Sequence, residues 1–425
     1  MNILMMTNTF TPHVGGVARS VASFTAAYRD RGHRVMVVAP EFENMPTAEI
    51  DVIRVPAIQH FNGSDFSVVL PIPGFLSAAV DDFEPDVFHS HHPFLLGGTA
   101  LRMARYRQRP IIFTHHTMYE QYTHYVPGDS PALKQFVISL STSYANLCDG
   151  VFAPSESLSR VLYERGVETH VEIVPTGIDV NSFATGSGAG FRDVMSIPHD
   201  AFVVGHLGRL APEKNLEFLA QSLCQFLERN RKAHFLLVGE GPSEQTVHDI
   251  VDQAGVGDRV HMAGTLTRKA LISAYRAMDV FAFASKSETQ GMVLVEAMAA
   301  GVPVVALDAS GVREVVIDGR NGRLLKRESV DTFSAALQAI ADLEPKTLAR
   351  FGRGARKTAD KFSIDRCAER ALTCYERVSR QERAKHQWDI EPWSQTLGLI
   401  ETEWNLAKGI AAAADAALQA DLFPD

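Results

Sequence analysis

Twelve short, uninterrupted apolar runs, separated by helix-patterned segments, limit what this 425-residue chain can fold into more than any other feature. In the first half these are "NILMMT", "HRVMVVAP", "DVFHSHH", "PIIFTHHT", "GVFAPS" and "VEIVPTGID". Each is continuous and β-rich instead of alternating, so each predicts a strand buried on both faces, as in a parallel sheet covered by helices. Between the first two runs, "GVARSVASFTAAYRDRG" carries a helical pattern that ends on a glycine suited to a C-cap. After "NSFATGSGAG", a Gly/Ser-rich stretch suited to a linker, the series restarts. "FVVGHLGRL", "AHFLLVGEG", "RVHMAGTL", "DVFAFAS", "PVVALDA" and "GRLLK" predict a second sheet. Strand–helix repetition of this kind implies doubly wound α/β architecture, and the length exceeds what one hydrophobic core normally serves. The expected division is a first Rossmann-like domain over 1–185, a second over 195–375, and a helical extension over 376–425. The extension reads as amphipathic helices packing back on the rest of the chain, with partner or membrane contact as the other reading.

Composition removes several function classes. The formal net charge is −9, and residues 1–180 carry 12 Lys+Arg against 18 Asp+Glu, which argues against a nucleic-acid binder. A local cluster, Arg102, Arg105, Arg107 and Arg109, is either a solvated helix face or a lipid-headgroup contact. "MNILMMTNTF" lacks a basic leader and reads as a first strand, and no run approaches the roughly 18 apolar residues needed to span a bilayer. Cys148, Cys224, Cys367 and Cys374 form no C-x-x-C pair, so neither a zinc site nor a disulfide framework is indicated. A reducing, cytoplasmic setting follows, with peripheral attachment at the inner face of a membrane as a variant of it.

Open parallel sheets bind ligands outside the carboxyl ends of their strands, so two facing sheets predict one cleft between domains. The chemistry-bearing residues fall where that picture needs them. In "SETQGMVLVEAMAAGVPVV" a strand and loop lead to Gly291, where a helix is expected to begin. The backbone N–H groups of Gly291, Met292, Val293 and Leu294, after Gln290, then suit a phosphate at the positive end of the helix. Glu296, inside the helix, can accept from two ribose hydroxyls, and Glu288, ahead of it, from the hydroxyls of a sugar. "GHLGRLAPEKN" supplies Arg209 and Lys214, a forked donor and a point charge able to neutralise a diphosphate. Gly15 and Gly16 in "TPHVGG", next to His13, permit close backbone approach to phosphate but do not complete a dinucleotide fingerprint. "FTHHTMYEQYTHYVP" sets His115, His116, Tyr119, Glu120, Tyr122 and His124 after a strand, and "HSHHPF" sets His89, His91 and His92 after another. Their spacing does not match a zincin motif, and sugar contact through imidazole donors and aromatic faces is the better functional reading. Taken singly, each of these residues also has a structural reading, as surface cation, helix-dipole partner or core histidine.

Together, "SETQGMVLVEAMAAGVPVVA", "GRLAPEKN" and "PTGID" resemble the retaining glycosyltransferases of family four. The resemblance runs from "MNILMMTNTFTPHVGG" to about residue 375 and implies the GT-B fold, two doubly wound Rossmann-like domains facing each other across a cleft. It implies that Arg209 and Lys214 hold the donor diphosphate, Glu288 the donor sugar and Glu296 the ribose. It further implies that His116 lies against the transferred sugar, that Gly16 belongs to the phosphate-side loop, and that the backbone of Gly264 and Leu266 meets the base. Thr176 stands in "PTGID" where Asn is more usual. Within the family, the glutamate motif with "THHTMYEQYTHYVP" looks most like the α-glucosyl-diacylglycerol synthases.

The expected function is therefore metal-free transfer of a hexose, glucose from UDP-glucose, to a hydroxyl acceptor with retained configuration. No cofactor is implied beyond the nucleotide-sugar substrate. A glycerolipid is the acceptor that the resemblance suggests, with peripheral membrane contact, and acceptor contacts are expected from His13, Tyr119, Tyr122 and the loops 61–66 and 118–127. No glutamate is an obvious nucleophile at the ~5 Å carboxyl spacing that a covalent intermediate requires, so the resemblance implies front-face attack. The alternatives are a sugar-nucleotide 2-epimerase of the same fold, or a non-catalytic sugar-nucleotide-binding regulator.

Overall fold

The computed structural model describes all residues except 14, 59–67, 70–74, 122, 124–129, 267, 287, 387–392 and 423–425. The first strands are β1 (Asn2–Met6), β2 (Arg34–Pro40), β3 (Val52–Val55), β4 (Ala57–Ile58), β5 (Val68–Val69) and β6 (Val87–Ser90). They continue with β7 (Ile111–Thr114), β8 (Gly150–Ala153) and β9 (Val171–Ile173). Between them run α1 (Gly16–Asp30), α2 (Phe75–Phe83), α3 (Leu96–Tyr106), α4 (Pro131–Asn146) and α5 (Glu156–Glu164). The second series has β10 (Phe202–Leu207), β11 (Ala233–Val238), β12 (Val260–Met262), β13 (Val280–Phe283), β14 (Val304–Leu307) and β15 (Gly322–Leu325). Its helices are α6 (Gly188–Val194), α7 (Leu216–Arg229), α8 (Glu244–Ala254), α9 (Arg268–Ala277), α10 (Met292–Ala299), α11 (Val330–Ala341) and α12 (Pro345–Ala359). Two long helices, α13 (Ile364–His386) and α14 (Trp393–Leu422), end the chain.

The chain divides into two compact units, one of residues 1–177 with 364–425 and the other of residues 178–363. In the first, seven parallel strands run in the order β3-β2-β1-β6-β7-β8-β9. The second holds six, also parallel, in the order β12-β11-β10-β13-β14-β15. Every one of the twelve apolar runs became a strand of these two sheets, because each is apolar on both faces and each sheet is covered on both faces. On β1, Ile3 and Met5 enter one hydrophobic cluster while Leu4 and Met6 enter another. Val203 and Val204 of β10 split in the same way between the clusters on either side of the second sheet. The edge strand β3 and the small antiparallel pair β4–β5 are additions that the sequence pattern did not announce.

Two departures have physical reasons. The stretch read as a linker is ordered structure, with a short 3-10 turn over Val180–Ala184 and then α6 packed on α9. Its glycines serve close approach: a Cβ at Gly188 would lie 2.1 Å from the Arg276 carbonyl oxygen, and one at Gly186 would lie 2.8 Å from Ile272. Composition alone does not separate a glycine that flexes from one that lets two backbones touch. The second departure is α13, which packs with α1 in the first unit, burying Cys367, Ala371 and Tyr375 in the cluster that also holds Ile3 and Phe24. Entry to the second unit at Ile178 is bridged to its exit at Ser363, with the Ile178 amide donating to the Phe362 carbonyl at 3.0 Å.

The terminal helix α14 lies against α4 and α3 in the first unit. Three of the four arginines of the sequence cluster are paired there and nearby. Arg102 pairs with Glu403 of α14, Arg105 with Asp149 at 3.1 Å, and Arg107 with Asp81 at 2.7 Å. Among the described residues no helix is long and apolar enough to cross a membrane.

Candidate active site

Each sheet has one point where the strand order reverses, between β1 and β6 in the first unit and between β10 and β13 in the second. The loops leaving neighbouring strands diverge there and open a crevice at their carboxyl ends. Most of the residues singled out in the sequence follow one of these strands, and others follow β7 or β12.

In the second unit, the loop after β10 carries Arg209 and Lys214, and the loop after β13 carries Glu288, Gln290 and Gly291. The two loops meet across the reversal. Lys214 Nζ lies 2.6 Å from Glu288 Oε1, and both side chains are largely buried. Asn215, at a positive φ of 56°, braces the junction by donating to the Ala284 carbonyl at the end of β13 and to Glu328. Ser285 adds a hydrogen bond to the Glu213 carbonyl at 3.2 Å. Arg209 is exposed, on a turn backed by two glycines from the loop after β11. A Cβ at Gly239 would lie 1.9 Å from the Gly208 carbonyl oxygen, and one at Gly241 would lie 2.4 Å from that of Leu210.

Gly291 does cap a helix. Its φ is 69°, in the left-handed region, and α10 begins at Met292. Leu294, expected among the free donors, gives its amide back to the Gly291 carbonyl at 3.0 Å, so the first-turn amides with no partner among the described residues are those of Met292 and Val293. Gln290 is 4% exposed and Glu296 only 3%, which makes Glu296 a carboxylate held inside the unit. The Tyr275 hydroxyl donates to its Oε2 at 2.8 Å. Behind the loop stands Gly311 at φ 72°, where a Cβ would come within 2.8 Å of the Gln290 amide nitrogen. Gly264 and half-buried Leu266 follow β12. The Gly264 carbonyl accepts from Gly239 at 2.9 Å, and the Thr265 amide donates to Glu240 at 3.1 Å. His206, fully buried on β10, donates from Nδ1 to the Ala282 carbonyl, and burial pushes it down to about 4.

The first unit gathers histidines. His89 and His91 come from β6 and the loop that follows it, with His92 beyond, and His115 and His116 follow β7. His91 Nδ1 is 2.9 Å from His116 Nε2, and the rings of His89 and His91 lie 4.1 Å apart. His92 accepts from the Asn8 amide at 3.1 Å, tying β6 to β1 across the reversal. Burial pushes His89, His92 and His115 down to about 3, and holds His91 and His116 well below the ordinary histidine range. All five are therefore neutral at pH 7.

Gly15 precedes α1 with extended backbone, its Cβ position 3.1 Å from half-buried His13, and no neighbour comes within 4 Å of a Cβ at Gly16. His13 itself stacks on Phe42. Tyr119 is turned inward: its hydroxyl is buried without a protein partner among the described residues, and its ring meets Phe94 and His115. Tyr122, His124 and residues 61–66 lie outside the described residues. Glu120 is committed to Arg165 at 2.7 Å, and Thr176 is buried, bonded to Ser20. Among the described residues no group of three His, Cys, Asp or Glu side chains forms a metal cradle.

The sequence pattern gave no sign of a role for Tyr275, Asn215, Gly239, Gly241, Gly311 or the His91–His116 pair. Asn215 stands inside the motif "GRLAPEKN", whereas the others act through partners far along the chain.

Known proteins resemble this chain in sequence and in fold. The Glycosyltransferase Family 4 profile matches residues 14–182 and that of Glycosyl transferases group 1 matches residues 191–358. A GDP-mannose-dependent alpha-mannosyltransferase of Mycolicibacterium smegmatis is 30% identical over 369 residues, covering 84% of this chain and 92% of the relative. The chain belongs to these glycosyltransferases. An alpha-monoglucosyldiacylglycerol synthase of Acholeplasma laidlawii is 27% identical over 339 residues, covering 76% of this glycosyltransferase and 84% of the relative. Among solved structures, sucrose-phosphate synthase from Thermosynechococcus elongatus superimposes with a TM-score of 0.73 at 20% identity, covering 90% and 100% of the two chains. Anabaena HepE in complex with UDP gives 0.68 at 22%, covering 89% and 100%. These likenesses show the GT-B fold, and the family makes the chain a transferase.

Proposed function

We propose that this glycosyltransferase moves glucose from UDP-glucose to a hydroxyl acceptor with retention of configuration, and that a glycerolipid is the acceptor. The observation that carries the reading is the Lys214–Glu288 contact at the strand reversal, beside the amino end of α10. In a nucleoside-diphosphate sugar the β-phosphate and the sugar are bonded neighbours. A cation for the one and a carboxylate for the other must therefore be neighbours too. Lys214 has three donors, so it can keep Glu288 and still reach phosphate. Arg209 and the first-turn amides of Met292 and Val293 add donors where charge grows as the leaving group departs. Glu296, oriented by Tyr275, takes the ribose hydroxyls, and the backbone at Gly264 and Leu266 receives the base.

In this reading the acceptor oxygen attacks the anomeric carbon on the face that the leaving group vacates. The C1–O bond to the β-phosphate breaks, and the acceptor proton passes to a departing phosphate oxygen. His116, held neutral, is a donor to the sugar and not a base. These stabilising groups are the chain's own, so the proposal needs no metal ion. A lipid acceptor rests on the likeness to the alpha-monoglucosyldiacylglycerol synthase and brings the chain to a bilayer surface as a peripheral protein. Arg102, Arg105 and Arg107, each paired with a carboxylate, are not an open cationic patch for that contact. A second donor, GDP-mannose, is favoured by the mannosyltransferase relative.

The test is to incubate the protein with UDP-glucose or GDP-mannose, with and without lipid extract, and to follow nucleotide release and the anomeric signal of the product. Acceptor-dependent UDP release with an α-linked product is expected. Release of GDP alone transfers the proposal to mannose. Isomerised donor without acceptor, or no release with either donor, contradicts it.

A further inference from the structure

The proposed reaction uses none of the histidines of the motif "HSHHPF". In the structure His91 meets His116 directly and His89 lies against His91. His91 is 1% exposed and presents Nδ1 to His116 Nε2 at 2.9 Å, with the two rings stacked at 5.2 Å. Its other nitrogen, Nε2, is buried and has no protein partner among the described residues. His91 rests in turn on His89, which is fixed at both nitrogens. Tyr375 of α13 meets Nδ1 at 2.5 Å and Thr114 Oγ1 meets Nε2 at 2.6 Å. The Tyr28 hydroxyl donates to Tyr375 at 3.3 Å. Proton order follows along this row: Tyr28 donates to Tyr375, Tyr375 to His89 Nδ1, and His89 Nε2–H to Thr114.

One proton lies between His91 and His116, because both imidazoles are neutral. It has two possible homes. If His116 Nε2 holds it, His91 must carry its own proton on Nε2, a buried N–H with no acceptor among the described residues. If His91 Nδ1 holds it, His91 Nε2 is only a bare lone pair. An orphaned buried N–H is the rarer and costlier of the two. The second arrangement therefore prevails, and it leaves His116 with its proton on Nδ1.

We propose that His91 is a positioning residue that fixes His116 as the Nδ1–H tautomer, with the Tyr28–Tyr375–His89–Thr114 row as its support. A neutral imidazole can flip its ring or exchange its tautomer, and either change turns a donor into an acceptor. Holding Nε2 as an acceptor of the His91 proton removes that freedom and leaves Nδ1–H as the one donor that His116 can offer a sugar hydroxyl or ring oxygen. α13 thereby serves the site through Tyr375, although it follows the second unit in sequence. The proposal rests on the placement of His116 at the transferred sugar, and the test separates the two.

Nitrogen-15 spectra of the histidine-labelled full chain at pH 7, with His116 assigned by comparison with His116→Gln, read the tautomer directly. The expected result is a protonated Nδ1 and a bare Nε2 on His116. In kinetics, His91→Phe keeps the stack on His89 but removes the donor, and is expected to lower kcat by about tenfold or more with donor KM little changed. His91→Asn, whose amide N–H can replace Nδ1–H, is expected to restore most of that loss. A protonated Nε2 on His116 in the unaltered protein overturns the proposal, whatever the variants do. So does His91→Phe turning over at the native rate while His116→Gln is impaired. Native turnover by His116→Gln removes His116 from the sugar and the kinetic half of the proposal with it, while the nitrogen spectrum still decides the tautomer.

Discussion

The two units solve different problems at equivalent places in their sheets. At the reversal of the second sheet the side chains are charged and compensated, with Lys214 against Glu288 and Glu296 hydrogen-bonded from Tyr275. At the reversal of the first sheet the polar groups are imidazoles kept neutral by burial. A departing diphosphate gathers negative charge and needs fixed cations and amides. A sugar changes its hydrogen-bonding far less and needs donors in a defined orientation. On the proposed reading, then, charge falls to the salt-bridged loops and orientation to a packed row of neutral rings.

The largest effect expected from breaking this contrast is at the charged reversal. Glu288→Gln or Lys214→Met should lower kcat by about 100-fold or more, with circular dichroism unchanged. Near-native turnover in either takes that residue out of the site. Gly311→Ala comes next. Its Cβ would meet the backbone of residues 288–290 at a positive φ, so the loop must move, and donor KM should rise by tens of fold, on the order of one to two decades. Tyr275→Phe removes one hydrogen bond to a buried carboxylate, a loss of about 1.5 kcal/mol at the lower end for bonds to charged groups, and should raise donor KM about tenfold at near-native kcat.

The neutral reversal is probed through stability. A histidine in the unfolded chain titrates at about pH 6.5, roughly three units above the folded His89, His92 and His115, which are held at about 3. Their depressed values stabilise the fold fully above about pH 6.5, and that contribution is lost as pH falls toward 3. Within that window each contributes a slope of about 1.4 kcal/mol per pH unit. Calorimetry from about pH 8 to 4 should show a flat Tm down to about 6.5 and a steep decline below it. His206 is the corresponding buried imidazole of the second unit, and its replacement should flatten the decline far less than removal of the three. The smallest effect is expected at Arg102→Ala, because its pair with Glu403 is about half exposed and should change stability by less than about 1 kcal/mol.

Sequence pattern revealed both sheets because two-sided burial writes itself into consecutive apolar residues. It also pointed to Lys214 and Glu288, which the structure brings into contact, and to the glycine that starts α10, since a strand–loop–helix pattern is local in the chain. What stayed hidden depends on distant partners. The order of the strands within each sheet, and with it the reversal that joins residues 214 and 288, is not encoded by the strands' own composition. Gly239 and Gly311 are needed where other loops pass, and Gly186 and Gly188 looked like a tether although they are close-packing positions. Tyr375 serves His89 from the far end of the chain, 286 residues away, and no spacing rule reaches that far.

The central claim is that Lys214 and Glu288 act as one unit on the donor, the lysine at the departing β-phosphate and the glutamate at the sugar bonded to it. A double-mutant cycle in kcat/KM with Lys214→Met, Glu288→Gln and the pair tests it most directly. The account predicts that the double variant is no slower than the worse single one. Losses that multiply, as for two independent residues, would contradict it.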